Sequence, residues 1–266
     1  MLAHSRRTAE TSGRSFLDSL KPQENLRLAA LLLFVAAMSL THTTRERRPQ
    51  IETREDACRH TALAAELRQR TDDLLSRLRW RDPAVAEISF LEDLATERVP
   101  DVMLHGERVA RYAQAVAREW ALDGETARLL RTAARFHDIG KLAMPGTLLT
   151  KPSPLTPGEW TVLRRHVDVG AEILASTKTL AELAPIVIAS HEWFNGGGYP
   201  HGIAGAIIPL TSRIIAVVDA YDSATLHRHG RARIDAAEAM TDLRRGSGSQ
   251  FDPDILDTFL GIIGRH

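Results

Sequence analysis

Six side chains that suit a divalent metal, His105, the adjacent pair His137 and Asp138, His166, His191 and Asp219, recur along the chain at intervals of 32, 29, 25 and 28 residues. Such spacing puts the five positions on different helices, so a fold that uses them together must bring several helices to one point. Neutral imidazoles and carboxylates are donors that first-row ions such as Fe, Mn or Zn accept. Bundle-core metal sites are assembled in this way, from donors on facing helices. The pattern reads as an all-α metallohydrolase.

The surrounding sequence agrees with helices. From about Pro83 onward no stretch keeps the alternation of a half-buried strand. Val109, Tyr112, Val116 and Trp120 form one stripe, with His105 a turn before it and therefore facing inward. Leu129, Leu130, Ala133 and Phe136 form a second stripe, ending at the His137-Asp138 pair. Thr156-Pro157-Gly158-Glu159 is a capping-box start with proline at the first helical position, and it predicts a helix that carries His166, Gly170, Ile173 and Leu174. Further helices are expected over about 180–193, 210–225 and 234–245, the last closing at Gly246. Asp252-Pro253 opens a final helix through Ile263.

Residues 1–80 differ in character and read as a helical extension, with 81–266 as the main domain. An uncharged run over 28–44 is short against the roughly 20 residues of a spanning helix. It reads as a soluble or dimer-forming helix, with a short membrane anchor as the alternative. Segment 52–81 is charge-rich and carries Leu63/Leu67 and Leu74/Leu78 pairs at i, i+4, as a linker helix that pairs with a second copy or packs on its own domain.

Composition narrows the function. With 34 basic and 34 acidic residues the formal net charge is zero, and aromatics are 5%. Neither bulk attraction to nucleic acid nor a base-stacking surface is indicated. A lone cysteine, Cys58, excludes an intrachain disulfide and a CxxC zinc site and fits a cytoplasmic protein.

Adjacent residues on a helix point about 100° apart, so His137 and Asp138 can embrace one ion, or the carboxylate can bridge two. Lys141, i+4 from His137, is expected on the same face, where an ammonium suits an anionic substrate oxygen better than a metal. Asp219 follows the apolar run IIAVV, and a buried carboxylate there needs a cation or a salt bridge. Taken singly, each histidine also fits a core or surface role.

These residues resemble the HD-GYP family of the HD metallohydrolase superfamily. The segments that carry the resemblance run from about Val99 to the C-terminus. They are HGERVARYA (105–113), FHDIGKLAMP (136–145), LTPGEWTVLRRHVDVGAEIL (155–174), SHEWFNGGGYPHGIAGAIIPLTSRIIAVVDAYDSAT (190–225) and SGSQFDPDILDTF (247–259). The signature tripeptide is Gly198-Tyr199-Pro200.

The resemblance implies a five-helix HD core with extra C-terminal helices and two or three bound divalent metals, often iron or manganese, with two expected here. It implies hydrolysis of cyclic di-GMP by metal-activated water, giving pGpG or GMP. Carried over by position, His105, His137, Asp138 and Asp219 hold one metal, and Asp138 bridges to a second held by His166 and His191. Lys141 contacts the substrate phosphate, while Gly198, Tyr199 and Pro200 shape the nucleotide pocket and a surface for a GGDEF or other signalling partner. Asp101, one turn before His105, falls where some members place a further ligand.

Two departures stand against this pattern. Ser190 replaces the first histidine of the usual His-His-Glu motif, and Asn195 replaces the aspartate that normally opens the GYP segment. They keep open a second reading, a catalytically degenerate module that senses a cyclic dinucleotide or docks a protein.

Overall fold

The computed structural model describes residues 83–177, 179–226 and 234–265. The expectations for the 28–44 run and the 52–81 linker lie outside these residues. Among them no helix is long and apolar enough to cross a membrane, and the only bridge of strand type is an isolated one between Ser247 and Phe251. The fold is all-α, as the sequence implies.

Ten α-helices are described: α1 (Pro83–Arg98), α2 (Pro100–Glu119), α3 (Gly124–Phe136), α4 (Gly146–Leu149), α5 (Pro157–Arg164), α6 (His166–Ser176), α7 (Ala184–Ile188), α8 (Leu210–Thr225), α9 (Ala236–Arg245) and α10 (Pro253–Ile263). The described residues fall in two compact units. The larger, Glu92–Ala175 with Leu180–His266, contains every candidate site residue.

Within this unit α8 is the central helix, packed against α2, α3, α7, α9 and α10. Its sequence explains the position: Ile214, Ile215, Val217 and Val218 are all fully buried, so apolar side chains cover more than one face and helices must surround it. Ser212 Oγ–H donates to the Ile186 carbonyl at 2.7 Å and ties α8 to α7. Tyr112, Tyr221 and Phe259 meet edge to face, with centroids 5.3 to 5.7 Å apart, joining α2, α8 and α10. Burying a ring like Phe259 contributes about 1.5–3 kcal/mol.

Helix starts follow their caps. Asp123 accepts from the Glu125 and Thr126 N–H groups before α3, and Asp252 accepts from Asp254 before α10. Thr156 and Glu159 form the reciprocal capping box expected before α5.

Two helices end earlier than periodicity predicts. The helix opened by Thr156 breaks at Arg165, whose N–H reaches back only to Val162 O at 3.2 Å, and the His166 ring donates to Leu163 O at 2.6 Å. The turn tightens, and His166 becomes the first residue of α6 rather than a mid-helix position. The helix expected over 180–193 is a 3₁₀ turn at Ala181–Leu183 followed by the five residues of α7. It stops because Ser190 N–H and Oγ–H both go to Val187 O, at 3.1 and 2.8 Å. His191 consequently sits in a turn.

Candidate metal centre

The His137-Asp138 pair does not lie on a helix. α3 ends at Phe136, and a 3₁₀ turn over Ile139–Ala143 follows. With a three-residue period, Lys141 falls on Asp138 and not on the face of His137, which corrects the i+4 expectation. Its Nζ lies 2.5 Å from Asp138 Oδ2. The turn is pressed against the start of α6 through Gly140, where a Cβ would stand 1.9 Å from the His166 carbonyl oxygen. Only glycine allows that approach, and it sets Asp138 beside His166.

Around the turn two groups of donors form. One contains His105, His137 and Asp138, the other Asp138, His166 and His191. In the first, His105 Nε2 is 2.8 Å from Asp219 Oδ1 and 3.8 Å from Asp138 Oδ2. His137 Nε2 stands 3.6 Å from the same Asp138 oxygen and 3.7 Å from the same Asp219 oxygen. Asp219 thus closes this group from α8. In the second, His166 Nε2 is 3.2 Å from Asp138 Oδ1 and 3.2 Å from His191 Nε2. Asp138 gives a different oxygen to each side.

The hydrogen bonds fix which nitrogen is free. His137 Nδ1 lies 2.8 Å from Ala134 O and His166 Nδ1 2.6 Å from Leu163 O. A carbonyl only accepts, so in each ring Nδ1 carries the proton and the lone pair of the neutral imidazole is on Nε2. His105 Nδ1 likewise faces the Asp222 carboxylate at 2.6 Å, and Arg108 holds that carboxylate from its other side at 2.9 Å.

Electrostatics favours a cation here. Burial pushes the Asp138 carboxyl up, but Lys141, His137 and His166 outweigh it and hold it well below the usual range. Asp219 is likewise raised by burial and brought well below by its contacts with His105 and His137. Both are ionised at neutral pH. Burial, with His166 beside it, pushes His191 down to about 3 and keeps its imidazole neutral. Burial also opposes the charged form of His137, yet Asp138 and Asp219 leave it raised. A field that draws a proton onto a buried imidazole also draws a metal ion.

The decisive observation is that the buried His105 Nε2 and His137 Nε2 make no hydrogen bond, although Asp219 Oδ1 stands 2.8 Å from the first: with the proton on Nδ1, an imidazole lone pair and a carboxylate oxygen face each other and need a cation between them. Buried polar atoms are rarely left so. Donors 3–4 Å apart can each lie roughly 2.0–2.2 Å from a common ion, and the donor set is of imidazoles and carboxylates. The residues fit divalent metals.

The remaining expected residues divide. Tyr199 stacks on His191, with ring centroids 5.2 Å apart and planes 5° from parallel, and its N–H donates to His191 O at 3.2 Å. At Gly198 a Cβ would meet Trp193 N at 2.2 Å, so glycine lets the loop fold onto the turn that carries His191. The Tyr199–Pro200 bond is cis. Asp101 is exposed in the first turn of α2 and belongs to neither donor group. Ser190 is buried with its hydroxyl turned back to Val187. Asn195 is exposed and accepts from Gly197 N–H at 2.9 Å, which makes it a loop residue.

Sequence reasoning missed Asp222, Arg108 and Glu192 as supports of the site. Asp222 lies in the segment that singled out Asp219, one turn later, and that spacing was its only signal. Glu192 is buried, and one of its oxygens accepts from the His201 and Gly202 N–H groups at 2.7 and 3.1 Å, fastening the loop after Pro200.

Comparison with known proteins accords with this geometry. The family model described as HD domain matches residues 89–255. The chain is 36% identical over 156 residues to the cyclic di-GMP phosphodiesterase response regulator RpfG of Xanthomonas campestris, covering 58% of this chain and 41% of that one. It is 31% identical over 177 residues to a cyclic di-GMP phosphodiesterase of Thermotoga maritima, covering 66% and 48%. Against 3'3'-cGAMP-specific phosphodiesterase 2 of Vibrio cholerae the identity is 32% over 158 residues, covering 59% and 30%. The chain spans less than half the length of each of these relatives. Among solved structures, Bd1817, an HDG"Y"P protein of Bdellovibrio bacteriovorus, shares the fold, with a TM-score of 0.52 at 18% identity, covering 86% of this chain and 77% of that one. By the family match across most of the larger unit, the chain belongs to the HD domain family.

Proposed function

We propose that the chain hydrolyses the phosphodiester bonds of cyclic di-GMP, giving pGpG and, after a second cut, GMP. The observation that carries the reading is the division of Asp138 between two donor groups, with the Lys141 ammonium beside it. Relatives named for cyclic di-GMP and for 3'3'-cGAMP support a cyclic dinucleotide as the substrate class.

On this reading one ion, iron or manganese, is held by His105, His137, Asp138 and Asp219, and a second by Asp138, His166 and His191. When bound, such ions lower the pKa of a water ligand and neutralise charge on the phosphoryl oxygens. The chain's own groups do the rest. Lys141 has three N–H donors, one occupied by Asp138, and offers another to a nonbridging phosphate oxygen. Asp222 and the Ala134 and Leu163 carbonyls keep three imidazoles oriented with Nε2 inward. Tyr199 walls the second group and limits water on that side.

A second reading, the degenerate signalling module, draws on the Ser190 hydroxyl, which is committed to Val187 and leaves the second group with His166, His191 and the shared carboxylate. One experiment separates the two. Protein purified anaerobically is assayed for metal content by mass spectrometry and for turnover of cyclic di-GMP. About two ions per chain with release of pGpG or GMP is the expected result. One ion or none, with no product in iron or manganese and no gain in Ser190→His, would establish the module.

A further inference from the structure

We propose that Arg164 binds the substrate, gripping the phosphate of a cyclic dinucleotide that is not being cleaved. The inference rests on the phosphodiesterase reading and extends it to a residue outside the donor groups. Arg164 is the last residue of α5, two positions before His166. Its guanidinium carbon lies 5.0 Å from the centroid of the Tyr199 ring, and that ring is stacked on His191. The series Arg164, Tyr199, His191 therefore leads from the surface to the second donor group, where His191 Nε2 meets His166 Nε2 at 3.2 Å.

Three features make Arg164 more than a cover for the tyrosine. Its side chain is exposed, and among the described residues it forms no ion pair. A guanidinium laid on an aromatic face keeps its in-plane N–H groups available, and their fork matches two phosphate oxygens. The second cation of the site, Lys141, sits on Asp138, whereas Arg164 sits on Tyr199. A cyclic dinucleotide carries two phosphodiesters, and while one is at the Lys141 end the other needs a positive partner away from the ions. Arg164 supplies one.

Arg165 provides a control within the same turn, because it is exposed and has the same charge, whereas it is Arg164 that lies over the Tyr199 ring. Steady-state kinetics and equilibrium binding would be measured on the metal-loaded full chain for wild type, Arg164→Ala, Arg164→Lys and Arg165→Ala. The substrates are cyclic di-GMP, 3'3'-cGAMP and bis(p-nitrophenyl) phosphate, which has a single phosphate. Arg164→Ala is expected to raise KM and Kd for both cyclic dinucleotides roughly tenfold, the scale of one charge-assisted hydrogen bond. Its kcat should fall by less than KM rises, and its loss on bis(p-nitrophenyl) phosphate should be several times smaller. Arg164→Lys should recover part of the affinity, and Arg165→Ala should stay within about twofold of wild type, as a surface substitution does.

Unchanged Kd, an equal loss on all three substrates, or a loss confined to cyclic di-GMP would each overturn the proposal. The second of these would mark a purely structural role, and the third a contact with guanine. Wild-type protein that binds cyclic di-GMP without cleaving it would sink the phosphodiesterase reading alone, and Arg164 would then be judged on Kd. Protein that neither binds nor cleaves either nucleotide would sink both.

Discussion

His105, His137 and His166 each direct Nδ1 at a fixed acceptor and Nε2 at the donor groups, and only His105 uses a carboxylate, Asp222, for this purpose. A carboxylate behind an imidazole fixes its tautomer and raises its basicity, and loss of such a partner costs about 10–100-fold in metal affinity. On the two-ion reading, Asp222→Asn is therefore expected to weaken metal binding at the first donor group by that factor while the far-UV spectrum is retained, as read by competition with a chelator of known affinity. An unchanged affinity would mean that Arg108 and helix packing hold His105 without the charge. The convergence of the six side chains on one point was legible from residue type and interval. Asp222 was not, because a carboxylate that orients a ligand and one that binds metal look alike in a sequence. Glu192 was hidden for a related reason: its partners are backbone N–H groups, which carry no residue identity.

Among the elements, α8 and α10 were legible to their ends, where Pro209 and the Asp252-Pro253 pair fix the starts. The stretch 180–193 was not, since its apolar periodicity runs on past the point where the Ser190 hydroxyl takes the Val187 carbonyl. The same limit applied to His137 and Asp138, whose apolar approach resembles a continuing helix although the backbone turns 3₁₀. In α5 the capping box makes a pH-dependent prediction. Hydrogen bonding to Lys151, then to Thr156, lowers the Glu159 carboxyl from 4.5 to about 2. A depressed carboxyl contributes stability that is complete above its unfolded pKa and is lost as pH falls through its folded one. Thermal melts should show Glu159→Gln below wild type at pH 7, with a gap that narrows from pH 4.5 towards 2. A gap of constant size across that range would mean that the charge contributes nothing. At the turn between α3 and α4, Gly140→Ala forces a methyl group onto the His166 carbonyl. Overpacking of this kind costs about 1–3 kcal/mol or more. Denaturant titration should show that loss, and on the two-ion reading metal binding at the second donor group should weaken with it.

Over the whole of the larger unit, the donors come from α2, the turn after α3, the start of α6, the turn after α7 and α8. Metal held at this point would join segments more than a hundred residues apart in the chain. Binding only to the folded state adds roughly 2.7 kcal/mol when free metal is a hundred times its Kd. Stripping the metal with a chelator is thus expected to lower Tm, and adding back iron or manganese to restore it. An apoprotein that melts with the holoprotein would show that the buried carboxylates are satisfied by the imidazoles and Lys141 alone.

Division of Asp138 between the two groups has a thermodynamic consequence on the two-ion reading. Two dications that share one carboxylate repel each other, so the chain does not titrate as a pair of independent sites. Whatever factor the first ion imposes on the second, the second imposes on the first, because coupling between bound ligands is reciprocal. When the second position is vacant for more of the time, as it would be with serine at 190, the first ion is relieved of that repulsion and is held more tightly. The missing histidine would then be read most clearly as unequal retention of the two ions.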